Sequence, residues 1–469
     1  MSQLFYSQKH RPVLPRILAV FCLFATKLQA QPTEIFTPDA FLEAVGRFHP
    51  VAQQALFLEK RADAALRGAR GLFDPVLGSE FSKKSFNGKN YYSTSESFVR
   101  LPSWYGLEAA AGYTSARGIN LNPEEKLPAN GQAFVGLSIS IWQGFLMDDR
   151  RAALAKAKNL AFLNENERRL AINDLFFEAG KTYWEWAYAA SLRELRQRFV
   201  ELSQKRFEGI REAALLGDRP MIDTLEAFIQ VQERRAELFD GEAELQQAVQ
   251  KMEVFLWKND GQPQSLPATA APVPVFWQNE GAVQMPSDLS GNPAFLQYDF
   301  KLRELEIDRR LKREKLRPKL ELKYNLLADG TQFGATDGLA GYKYGIKFSY
   351  PILARSARAD LSVADFKISE TQLQKAQKAQ ELQQKRSFYQ TELTNLDQQS
   401  RVMETILRGH RTLLEAEQDR FRLGESSIFL LNARESKLLE SETKQLKLAA
   451  EKQKARLGQQ WAAGALGLR

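Results

Sequence analysis

The sequence predicts a mainly α fold with a β component, internally duplicated, in which long helical hairpins accompany a small number of strands. Three observations predict it. Prolines recur in matched pairs, Pro50 with Pro75 and Pro293 with Pro318, each pair 25 residues apart and each bracketing a charged, Ala/Leu-rich stretch. Two proline-free stretches, 129–219 and 352–469, are dominated by helix-forming residues. Segments in which apolar and polar residues alternate lead into the helix-forming run of each copy. The same order of landmarks occurs twice, so the repeat is one of long period.

The first 30 residues hold Lys9, Arg11, Arg16 and Lys27 but no acid, then an apolar run from Ile17 to Ala25 and the small-residue site Leu28-Gln29-Ala30. This is the pattern of a secretory signal peptide, with cleavage expected after Ala30. Its removal discards the only cysteine, Cys22, and takes the net charge from +8 to +4. Disulfides and a basic nucleic-acid surface are therefore not expected. No apolar run of about 18 residues follows, so a membrane span would have to be a closed β-barrel, the one sheet that leaves no backbone edge unpaired in lipid.

After the leader, residues 31–258 form the first repeat, 259–291 a Pro/Gly/Ser-rich connection, and 292–469 the second repeat. Asp39 to Leu72 and Pro293 to Leu316 read as short helices leading into strands. In copy one an opening strand runs from Val76 to Phe86. A later strand alternates Val135, Leu137, Ile139 and Ile141 with Gly136, Ser138 and Ser140. In copy two, Leu320, Leu322, Tyr324 and Leu326 face one way, as do Tyr342, Tyr344, Ile346, Phe348 and Tyr350 of the partner strand. The offset between copies falls from 243 at the prolines to 209 at Gly136 and Gly345, so copy one carries an insertion. Within it Tyr105, Leu107, Ala109, Ala111 and Tyr113 recur at period two. Residues 87–130 read as an added hairpin or an external loop, and the pattern leaves open whether they add strands.

From about Phe145 to Leu216 the composition predicts one helix of about 70 residues, on the order of 100 Å long. Tyr188, Leu192, Leu195, Phe199 and Leu202 advance by the steps of a coiled-coil seam. Leu216-Gly217-Asp218-Arg219-Pro220 reads as a stop and a new start, with Asp218 as N-cap and Pro220 in the first turn. The return helix runs from Met221 to Trp257. Copy two repeats the plan with a helix from Ser356 to Leu423, a turn at Gly424-Glu425-Ser426, Ser426 or Ser427 as cap, and a return helix to Ala462. Two strand pairs per chain are too few to close a barrel, since single-chain membrane barrels begin at about eight strands. Four strands from each of three chains would make twelve, above a tube of twelve helices.

From about Phe41 to Leu466 these residues resemble the TolC-like outer-membrane efflux family. The matching pieces are Asn292-Pro293 and His49-Pro50, the Pro318 and Pro75 junctions, Tyr350-Pro351 and Ile141-Trp142, and the turn elements Arg420-Phe421-Arg422-Leu423-Gly424 and Leu430-Leu431-Asn432-Ala433. The resemblance implies a homotrimer in the outer membrane of a Gram-negative bacterium, with a shared β-barrel and a helical tube reaching across the periplasm. It also implies passive conduction from an inner-membrane pump, in a tripartite efflux or type I secretion system, through a periplasmic adaptor (membrane fusion) protein. By that resemblance Leu216, Gly217, Asp218, Leu423, Gly424 and Glu425 are the adaptor-docking tips. Family members narrow the tip aperture with carboxylates just beyond the second turn, where this chain has Phe429 and Asn432. Asp223 and Glu226 of copy one are the other candidate aperture-lining residues.

Nothing in the sequence points to an enzyme, a cofactor or a metal. His49 and His410 are the only histidines after the leader. Gly180-Lys181-Thr182 has Leu175 where a phosphate loop needs its first glycine. The alternative expectation is a soluble periplasmic coiled-coil scaffold or adaptor, which would use the long helices but has no need of strands with one aromatic face.

Overall fold

The computed structural model describes residues 34–267, 269–277, 288–331 and 341–467; the expected signal peptide lies outside them. The chain begins with strand β1 (Glu34–Phe36) and helices α1 (Pro38–Phe48) and α2 (Pro50–Gly71). Four strands follow: β2 (Val76–Phe86), β3 (Lys89–Pro102), β4 (Leu107–Arg117) and β5 (Gln132–Ser140). The first long hairpin is α3 (Asp149–Leu215) with α4 (Met221–Glu253). A short strand, β6 (Ala270–Pro272), lies in the connection and pairs in parallel with β1. Copy two is α5 (Pro293–Glu314), β7 (Lys319–Asp329), β8 (Tyr342–Ser349) and the hairpin of α6 (Arg355–Arg422) with α7 (Ile428–Ala463).

The duplication rests on local chemistry repeated in each copy. Helices α2 and α5 are both 22 residues long and both start on a proline. Behind each proline a side chain accepts the first free amide: His49 Nδ1 from Val51 at 3.2 Å, Asn292 Oδ1 from Ala294 at 2.9 Å. The long helices are 67 and 68 residues, about 100 Å each. Asp148 Oδ1 caps α3 by accepting from the Arg151 amide at 2.8 Å, and Ser427, one of the two serines expected, caps α7.

Asp218 does not cap α4. That helix has Pro220 at its N-cap position, with no side-chain cap, because Asp218 is consumed in closing α3: its amide bonds Ala213 O at 2.9 Å. The seam of α3 also departs from the expected spacing. Leu192, Leu195 and Phe199 are buried against Leu407, Leu414, Leu431 and Leu438, but Leu202 is exposed and Ser203 takes the buried position. A straight helix drifts about 20° per heptad against a 3.5-residue repeat, so the stripe moves on to Ile210.

At each level four helices lie side by side. Below the strands the packing order is α2, α3, α5, α6; farther down α4 and α7 replace α2 and α5. Buried asparagines of α3 stitch these layers: Asn164 donates to Leu58 O, Asn159 to Phe300 O and Asn173 to Trp461 O, at 2.7 to 3.1 Å. At the waist, α1 and the β1–β6 pair cover the middle of α3. Phe41, Tyr183, Trp186, Met252, Val273 and Val275 form a dry cluster there. Each such side chain contributes about 1.5–3 kcal/mol by leaving water. The Tyr183 hydroxyl donates to Phe36 O at 2.6 Å and accepts from the Val273 amide at 3.1 Å, and burial raises its pKa.

Candidate functional site

Two regions stand out as functional candidates, the sheet and the hairpin tips. The sheet is one antiparallel, curled layer of six strands in the order β2-β3-β4-β5-β7-β8. Among the described residues the sheet has six strands, not the four expected, because the insertion of copy one enters the ladder as β3 and β4. The sequence carried an unused signal for this at Asn87-Gly88. Both residues take positive φ, 51° and 73°, as a two-residue hairpin turn requires.

Register places the alternating residues on two opposite faces. Rows such as Leu77-Val99-Ala111-Val135-Leu326-Tyr342 cross all six strands on one face. In the neighbouring row Leu101, Ala109, Leu137, Tyr324 and Tyr344 continue it. This face is open: Leu77 is 79% exposed, Tyr344 67% and Ile346 65%. So broad an apolar face is what a surrounding apolar medium matches. Toward the far end of β3 it turns polar, with hydroxyl pairs Ser79–Ser97 and Ser95–Ser115 at 2.9 and 3.1 Å. Along β7 the apolar residues extend from Leu320 to Ala328, about 27 Å of strand, near the height of a bilayer's apolar core.

The opposite face carries Glu80, Glu96, Arg100, Glu108, Lys323 and Lys343. It is crowded over β2 to β5, where side chains close over Gly78, Gly112 and Gly136. A Cβ placed on Gly112 would lie 2.6 Å from the Phe134 ring, so only glycine lets that ring fold over the strand.

The hairpin tips are two copies of one turn. Gly217 and Gly424 have φ of 84° and 78°, and the amide after each glycine closes back five residues onto the helix, Asp218 to Ala213 O and Glu425 to Arg420 O, both at 2.9 Å. Leu216 and Leu423 project outward, 79% and 75% exposed. The structure brings the two turns together: Arg219 donates to Phe421 O at 2.7 Å and its guanidinium stacks over the Phe421 ring at 4.1 Å. Behind them Phe207, Ile210, Ala227, Phe421 and Ile428 form a small core.

Of the candidate aperture residues, Glu226, Phe429 and Asn432 line one groove between α4 and α7, together with Ile222, Leu225 and Ile229. Asp223 is not part of it and sits in the first turn of α4. Phe429 is exposed, whereas Asn432 is buried and its Oδ1 accepts from Arg206 at 3.2 Å. In the single chain Asn432 thus braces two helices at the groove floor instead of facing open space.

The group that sequence reading missed is Glu435. It is fully buried, forms an ion pair with Arg206, and lies beside Arg234, which bonds Glu237 and Ser436. Burial pushes its carboxyl above the ordinary range, against the pull of Arg206 and Arg234. The cluster fastens hairpin one to hairpin two just behind the tips. At the turn itself, the Ser426 hydroxyl donates to Glu417 and holds that carboxyl below the ordinary range, with Arg420 and Arg434 adding to the effect.

His49 is accounted for as the α2 cap, stacked on Phe255 at 5.8 Å. Gly180-Lys181-Thr182 lies inside α3, with Gly180 against Leu457. Among the described residues there is no cluster of three or more potential metal ligands, and no helix long and apolar enough to cross a membrane.

No protein-family model matches the chain. No curated protein matches it significantly. Solved structures do match. The channel protein CusC aligns with 97% of this chain and 98% of its own at 14% identity, with a TM-score of 0.65. A membrane protein from Pseudomonas aeruginosa covers 91% of this chain and 92% of its own at 16% identity and a TM-score of 0.67. The open state of the Neisseria gonorrhoeae MtrE outer membrane channel covers 92% and 89% at 16% identity and a TM-score of 0.65. At such low identity over nearly full length, what is shared is the architecture of duplicated hairpins beneath a sheet. The chain shares the fold of these solved channel proteins.

Proposed function

We propose that this protein is the outer-membrane exit duct of an efflux or type I secretion system, a homotrimer that passively conducts substrates delivered by an inner-membrane pump. The observation that carries the reading is the sheet: one face apolar and exposed across every strand, the other charged, with both edges β2 and β8 open. Such a sheet satisfies lipid outside, water inside and its own backbone only when closed with further copies. The channels whose fold it shares support the same reading. Helices with narrow apolar seams and polar remaining faces suit a tube wetted on both sides.

The paired tips, with Leu216 and Leu423 outward and Gly217 and Gly424 fixing the turns, are the proposed docking points for a periplasmic adaptor protein. The groove of Ile222, Leu225, Ile229 and Phe429 adds apolar surface next to them. Asp218 and Glu425 flank the glycines and would set the charge met by the adaptor. Passive transport has a direct test in planar lipid bilayers. Detergent-extracted protein should insert and give stepwise, ohmic current with neither ATP nor a proton gradient supplied. A particle that is soluble without detergent and never conducts would contradict the proposal and favour a scaffold.

A further inference from the structure

The six-stranded sheet has a consequence for the pore. We infer that three copies of this chain, joined β2 to β8, close an eighteen-stranded barrel whose ring is as wide as the helical tube below it. The inference rests on the trimeric duct proposed above and concerns what the inserted hairpin does in it.

The hairpin belongs to the wall. Strand β3 pairs with β2 over its length and β4 with β5 from Leu107 to Thr114, so β2 and β5 never touch. Val99, Leu101, Leu107, Ala109 and Ala111 fill the apolar face between Leu77 and Val135, while Glu96, Arg100 and Glu108 continue the charged one. The inner turn of the hairpin is anchored on the helical layer. Trp104 stacks on Phe73, at the junction of α2 and β2, with centroids 4.3 Å apart and planes 11° from parallel. Glu108 meets Arg150, in the first turn of α3, at 3.4 Å. The turn itself closes through the Ser103 amide on Leu107 O at 2.8 Å. A loop extruded from a four-stranded sheet would make none of these contacts.

The geometry also explains why a wider sheet fits. The helices beneath run in the order α2, α3, α5, α6, the same order as the strands they join, β2, β5, β7 and β8. Four helices at interaxial distances of about 9–10 Å occupy an arc of about 36–40 Å per chain. Six strands spaced about 4.8 Å and tilted about 40° occupy about 38 Å, whereas four would occupy about 25 Å. For the trimer this is a backbone ring of about 36 Å diameter instead of about 24 Å. Because each chain adds an even number of strands, β2 ascending and β8 descending, the edges of neighbouring copies meet antiparallel, as closure requires.

Cysteine pairs introduced into the full-length protein in its membrane test this directly, since the one native cysteine is in the leader. Leu77→Cys with Val99→Cys, register partners on adjacent strands, should form a disulfide. Leu77→Cys with Val135→Cys, about 14 Å apart across three strand spacings, should not. End-on electron microscopy of the wild-type particle should count eighteen strands. A Leu77–Val135 disulfide, which places β2 against β5, would overturn the inference, as would a trimer with a twelve-stranded ring. A monomer or a micelle-free particle would instead refute the duct itself, while the two disulfide results would still report the sheet order.

Discussion

Replacing Glu435 by alanine should loosen the two helical hairpins from each other just behind the tips. The carboxylate is fully buried and pairs with Arg206, whose side chain is 11% exposed, and it faces Arg234, whose side chain is 5% exposed. Removing it leaves two guanidinium groups out of water with one anion fewer, an imbalance that costs about 3–5 kcal/mol. Among the described residues Arg206 would keep Asn432, and Arg234 would keep Glu237, Ser436 and the Gln230 amide oxygen. Because the loss is local, hydrogen exchange is the assay of choice. Amides in the first turns of α7 should exchange about 100- to 3,000-fold faster, each 1.4 kcal/mol being worth tenfold. The double variant Arg206→Met, Glu435→Leu replaces the pair by apolar groups and should recover most of that protection. Acceleration below tenfold in Glu435→Ala, or a double variant no better than the single one, would refute the assignment of Glu435 as the fastener between hairpins.

Other substitutions probe other parts of the molecule. Leu216→Glu with Leu423→Glu changes two exposed side chains and should leave trimer melting within about a degree while abolishing export by the assembled system; unchanged export would remove the tips as docking points. Gly112→Val forces a side chain into the Phe134 ring and the Ser97 carbonyl, both 2.6 Å away, and should block barrel formation, read as loss of the heat-modifiable band on a gel. Burial lowers the pKa of His49 below 6.5, so the unfolded chain binds more protons. Its contribution to stability is therefore complete above pH about 6.5 and is lost as pH falls through and below it. His49→Asn keeps a cap and should flatten that part of the stability–pH curve without lowering stability at pH 8 by more than about 1 kcal/mol.

What could be read from the sequence was whatever is written locally. Pro50, Pro293, Gly217 and Gly424 act through their own backbone, so helix starts, turns and the duplication were legible. The aromatic alternation of β8 was equally plain; the register, Tyr324 opposite Tyr344 and Leu322 opposite Ile346, came only with the structure. Strand β3 was not legible, because Ser93-Thr94-Ser95-Glu96-Ser97 is polar on both faces where the sheet passes beyond its apolar band. That left the insertion as hairpin or loop and led to an expectation of four strands per chain. Leu202 was misplaced for a geometric reason, the slow drift of the seam around α3. Asn432 and Glu435 were invisible as partners of Arg206, which lies 226 positions from Asn432 in the chain and joins it only through packing.

The central claim, a trimeric membrane duct with a long helical tube, is tested most directly by electron microscopy of detergent-extracted particles. A trimeric duct should show threefold symmetry and a tube on the order of 100 Å projecting from one side of the micelle. A particle that stays in solution without detergent, or a micelle-bound one without the tube, would contradict it.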